Sequence, residues 1–127
     1  MRDHETAMCA YAQLAVLSHE KRQTPARDRF LLLCGVEACR AGWLDVAVRC
    51  REIHNRSQPA HQLAKHASLP DALRDPDFGR VVEHWERWCS YERAEHLLLG
   101  LNQSAAGECP ESPRGAWVLE QLQTLEK

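Results

Sequence analysis

The chain lacks any apolar run near the roughly 20 residues that a membrane-spanning helix needs. Its start, Met1-Arg2-Asp3-His4-Glu5-Thr6, is polar and charged where a secretory signal carries an apolar stretch of roughly 7–15 residues. These absences set the expectation of a cytoplasmic chain with no membrane contact. A surplus of one charge is missing too: 16 basic against 18 acidic residues leave a net charge of −2, too little to draw nucleic acid or anionic lipid. Arginine far outnumbers lysine, which fits a GC-rich, bacterial genome better than phosphate recognition. β-Branched residues are few and no useful period-two alternation occurs, so strands are not expected. Catalytic signatures are absent as well: no Gly-x-Ser-x-Gly elbow, no phosphate-cradling glycine loop and no His-Glu-x-x-His. No enzyme activity and no cofactor are expected.

What is present is helical punctuation. At 127 residues, 44% apolar and 27% charged, the chain has the make-up of one ordinary globular domain. Thr24-Pro25 reads as an N-cap followed by proline at the first helical position. The run from Phe30 to Val36 is apolar nearly all round, which marks a central helix. Gly42 supplies a left-handed stop, Trp43-Leu44 open the next helix, and Gln58-Pro59 break it. Before this hairpin, a helix over 3–22 is capped by Asp3 and carries Ala7, Met8, Ala10, Tyr11, Leu14 and Leu17. After it, a short helical piece over 60–67 leads to a start signal at Ser68-Leu69-Pro70-Asp71.

Asp75-Pro76 opens the cleanest amphipathic helix, with Phe78, Val81, Val82, Trp85, Trp88 and Cys89 on one stripe. Ser90 caps the next helix, which ends at Gly100-Leu101, so 76–100 reads as a second hairpin. A polar linker over 102–113 precedes a last helix begun by Ser112-Pro113 and bearing Trp117, Val118, Leu119, Leu122 and Leu125. The expected fold is all-α: five to six helices, two stacked hairpins plus an N-terminal helix and a linker-connected C-terminal helix. Its segments are a helical body (1–101), the linker and the C-terminal helix (114–127), within a single domain overall.

Gly35, Gly42, Ala47 and Pro59 fall at the mutual spacing of the small-residue and terminal-proline positions of the tetratricopeptide repeat. Over 25–59 the first hairpin therefore resembles one degenerate repeat, although Ala38, Arg51 and His54 depart from the pattern and the second hairpin does not repeat it. The resemblance implies a concave surface that binds peptides of partner proteins.

The residues able to carry chemistry are seven histidines and six cysteines. Cys50 and His54 lie one helical turn apart, with His61 and His66 following, and this is the best metal-binding candidate set. Its spacing matches no finger pattern, so no metal is expected. Glu92, Glu95 and His96, with Glu83 and His84 before them, resemble a carboxylate-bridged site but fall on a water-facing side. Five cysteines lie in helical patterns, where thiols behave as buried hydrophobes, and Cys109 lies in a loop as the exposed one. All six are expected as free thiols, and the Asn102-Gln103-Ser104 sequon is expected to be unused.

Function is legible only as a class. The leading expectation is a non-catalytic protein-interaction or adaptor module, able to self-associate as a homodimer. Trp85 and Trp88 fit core packing first; under the interaction reading they and Trp117 serve as anchors and Arg49 and Arg56 as polar rim, because tryptophan and arginine are enriched at binding hot spots. The C-terminal helix behind its linker is expected to be the mobile, partner-facing element, with plain docking on its own chain as the alternative. The alternatives are a small Cys/His metal-binding protein and an accessory subunit of an enzyme.

Overall fold

The structure, a computed structural model, describes residues 3–100 and 114–126. They are all-α, with no strand among the described residues. The elements are α1 (His4–Glu20), α2 (Thr24–Ala41), α3 (Leu44–Ser57), a 3-10 turn (Gln62–Lys65), α4 (Leu69–Leu73), α5 (Pro76–Trp88), α6 (Tyr91–Gly100), α7 (Arg114–Gln123) and a closing 3-10 turn (Thr124–Glu126).

The helix starts follow local chemistry. Asp3, Ser68 and Asp75 each accept a hydrogen bond from a backbone N–H of the turn they open: those of Glu5, Asp71 and Asp77. Ser90 does the same for Arg93 at the head of α6. Thr24 does not cap. It is the first residue of α2, Gln23 precedes it without a side-chain hydrogen bond, and Pro25 follows inside the first turn. Proline is tolerated through that turn because its N–H has no intrahelical partner there. Gly42 ends α2 in the left-handed region at φ 88°, as a C-terminal glycine should.

The central helix is α2, buried without interruption from Phe30 to Ala38. It packs along α1 on one side and α3 on another, and α4 and α5 also lie against it. Gly35 permits the close approach: a Cβ there would sit 2.6 Å from Leu69 Cδ2 and 3.1 Å from Cys50 Cβ. The ends of the α2–α3 pair are tied by a buried carboxylate. Asp28 pairs with Arg27 at 3.0 Å and accepts from Ser57 Oγ at 2.7 Å and Gln58 Nε2 at 3.0 Å. A buried charge is tolerated only when satisfied in this way.

The helices over 76–100 do not face each other as a packed hairpin. α5 lies on α2 and α4, whereas α6 lies on α1. The cause is the short connection, where Cys89 is extended (φ −149°, ψ 92°) and Ser90 restarts a helix at once. Tyr11 reinforces the split by donating its hydroxyl to the Cys89 carbonyl at 2.9 Å.

The C-terminal helix docks on its own chain. α7 packs on α1 and α3, with Val118 and Leu122 wholly buried and Leu125 nearly so. Arg114 reaches Asp3 at 3.0 Å and Thr6 Oγ1 at 2.7 Å. At the far end Glu126 is held by Arg49 and Arg56, each at 3.1 Å. The expected partner-facing stripe is thus filled in cis, since each Leu or Val buried gains roughly 1.5–3 kcal/mol. The linker, Ser112-Pro113 and the Gly100-Leu101 ending lie wholly or partly outside the described residues.

Candidate functional site

Two of the expected anchors meet on one surface. Trp85 and Trp88, one turn apart on α5, are half-buried and touch edge to face with ring centroids 5.9 Å apart. Trp88 leans on Phe30 of the core at 5.0 Å, while Trp85 has His84 against it at 4.6 Å. Over both lies Arg29 of α2, its guanidinium carbon 4.4 Å from the Trp85 ring centroid and 5.3 Å from that of Trp88. Such stacking uses the flat face of the guanidinium and leaves its N–H edge free to donate.

Beneath this stack is a cavity of about 120 Å³. Arg29, Leu32 and Pro25 line it from α2, Trp85 from α5, and His54, Gln58 and His61 from the end of α3 and the loop beyond. The two imidazoles meet edge to face at 4.8 Å. Burial, with His61 alongside, pulls the pKa of His54 down to about 4, so its ring is neutral at pH 7. Its Nδ1 is buried without a hydrogen-bond partner among the described residues. Burial also lowers the pKa of His61. His61 accepts the Leu63 N–H at Nδ1, which leaves its neutral ring with the proton on Nε2, as a donor.

The other expected site residues scatter. Trp117 is half-buried against the core on α7. Arg49 and Arg56 spend their charge on Glu126 and Glu52 of the same chain, so they rim an internal contact. The metal set is not gathered. His54 and His61 touch, but Cys50 is buried on α3 against Gly35, and His66 pairs with Asp75 at 3.3 Å beside Phe78. Glu92, Glu95 and His96 are exposed, and Glu95 is engaged by the Tyr91 hydroxyl at 2.7 Å. No group of three potential metal ligands exists among the described residues.

The cysteines require a correction. Cys9, buried on α1, is disulfide-bonded, so the expectation of six free thiols is overturned. Cys34, Cys39, Cys50 and Cys89 are free, and Cys109 lies outside the described residues. A polar N-terminus carries no information on the bonding state of a buried cysteine such as Cys9. Burial raises the Cys39 thiol to about 11 and lifts Cys89 as well, which makes both poor nucleophiles at neutral pH.

Arg29 and Asp28 are not among the expected site residues. Asp28 had a usable signal, a carboxylate entering an apolar helix opposite the Ser57-Gln58 end of the antiparallel partner. Arg29 had none, because its contact with α5 depends on the packing of helices distant in the chain. Comparison with protein-family models, curated proteins and solved structures gives no match. No described helix is long and apolar enough to cross a membrane.

Proposed function

We propose that this chain is a non-catalytic protein-interaction module whose recognition face is the Trp85–Trp88–Arg29 surface. One observation carries the reading: an arginine without an ion-pair partner among the described residues is stacked on two half-exposed tryptophans. Trp and Arg supply the largest share of binding energy at interfaces, and stacking holds the guanidinium in one orientation before a partner arrives. The unpaired charge favours a partner segment with an acidic residue at its centre. Arg49 and Arg56 are set aside as anchors because their charges are paired within the chain, and Trp117 because it rides on α7, which is docked on α1 and α3. A tetratricopeptide-like ancestry for 25–59 would suit a peptide-binding role, and the close approach at Gly35 is compatible with it. The disulfide of Cys9 weighs against the cytoplasmic home and for an oxidising compartment, where such bonds persist.

The test is a capture experiment from the native host with three forms of the protein. The parent and an Arg49→Ala/Arg56→Ala variant should retain the same partner, and Trp85→Ala, checked to be folded, should lose it. Loss in the double variant together with retention in Trp85→Ala would reverse the assignment.

A further inference from the structure

We propose that the cavity between Arg29, His54, His61 and Trp85 is a binding subsite for a carboxylate group. It goes beyond the interaction reading and rests on it only for what carries the carboxylate; the site itself can be tested with free acids.

The donor set matches a carboxylate. Arg29 lines the cavity with its face on Trp85 and has neither hydrogen bond nor ion pair among the described residues. Its neighbour Arg27 is spent on Asp28, so the unpaired charge belongs to Arg29. A planar guanidinium edge matches a planar carboxylate with two parallel N–H···O bonds. His61 adds an Nε2–H donor, because its Nδ1 is already used by the Leu63 N–H. Trp85 and Leu32 supply apolar wall for a short aliphatic stem.

The charge balance selects a monoanion. His54 is buried and neutral, so the imidazoles contribute no second cation at pH 7. Asp28 is close enough to act electrostatically on both His54 and His61, and it opposes further negative charge. One unpaired cation beside a paired anion suits a carboxylate and disfavours a phosphate dianion. Size agrees, since a cavity of about 120 Å³ has room for a carboxylate and a few carbons, well beyond one water.

The experiment is a titration of the full-length, isotope-labelled protein at pH 7, following the Trp85 indole and the His61 imidazole resonances. Propionate should shift both saturably. Propionamide, of the same shape without the charge, and inorganic phosphate should each bind at least about tenfold more weakly. Arg29→Gln should lower propionate affinity by at least about tenfold while leaving the melting temperature near the parent's. Should that variant fail to fold, Arg29→Lys serves, with affinity between parent and none because it keeps the charge and loses the fork. A blocked glutamate peptide binding more tightly than propionate assigns the site to a partner's side chain, and the opposite order to a free acid. Equal binding of propionate and propionamide, undiminished affinity in a folded Arg29 variant, or the absence of any saturable shift overturns the proposal.

Discussion

Gly115 of α7 lies flat against the indole of Trp43, so close that a Cβ would stand 2.1 Å from Cε3 of the ring and 2.4 Å from Cδ2. The same Trp43 donates its Nε1–H to Glu5 of α1 at 2.6 Å. One indole therefore joins the head of α3 to both terminal helices, and the missing side chain at Gly115 is what admits α7.

Gly115→Ala decides whether this docking holds in solution. In a free helix, alanine would stabilise by about 1 kcal/mol through propensity alone. Against Trp43 it should instead destabilise by roughly 1–3 kcal/mol, as overpacking does. Chemical denaturation gives the sign. Trp43→Leu in the same chain should return part of the loss, because the two positions touch and their effects are not additive.

Phe78 and Trp85 share a helical stripe but not a role. Phe78 is fully buried and Trp85 only half. Phe78→Ala should cost roughly 3–5 kcal/mol. Trp85→Ala should cost less than half as much and leave a cooperative unfolding transition. Equal losses would make Trp85 a core residue and remove it from the recognition face.

His54 should make the fold acid-sensitive in a defined window. Its folded pKa of about 4 lies below the ordinary 6.5, so the unfolded chain binds the proton first as pH falls. Stability from this group is complete above about pH 6.5, declines between there and about pH 4, and changes no further below. A shift of this size corresponds to a loss of about 3 kcal/mol. His54→Phe should flatten that part of the stability–pH curve, and an unchanged slope would show the imidazole to be solvated.

The thiol count separates the two accounts of redox state. Denatured without reductant, the protein should react at Cys34, Cys39, Cys50 and Cys89 and not at Cys9. After reduction the count should rise to all six cysteines of the chain. Six thiols in both conditions would mean that Cys9 is free.

How much was legible in the sequence follows range. Asp3, Ser68, Asp75 and Ser90 were readable because a cap acts within three residues of itself, and Gly42 because a left-handed stop needs no neighbour. The burial of 30–38 followed from an apolar run too broad for one face. Thr24 was misread by one position because proline is nearly as comfortable at the second helical residue as at the first. The packing of α5 and α6 on different partners could not be read from periodicity, which says that a face is apolar but not what covers it. The same limit hid the site: nothing local to Arg29 shows that α5 will place Trp85 and Trp88 beneath it. Arg49 and Arg56 looked free until Glu126 arrived from the end of the chain.

The central claim is that recognition belongs to the Trp85–Trp88–Arg29 face and not to the C-terminal helix. The chain's four tryptophans give four indole N–H resonances, each assignable by substitution. When the partner captured from the host is added to labelled protein, the signals of Trp85 and Trp88 should move or broaden, while those of Trp43 and Trp117 stay in place. Movement of Trp117 and Trp43 with Trp85 and Trp88 unmoved would contradict the account and return the binding surface to α7.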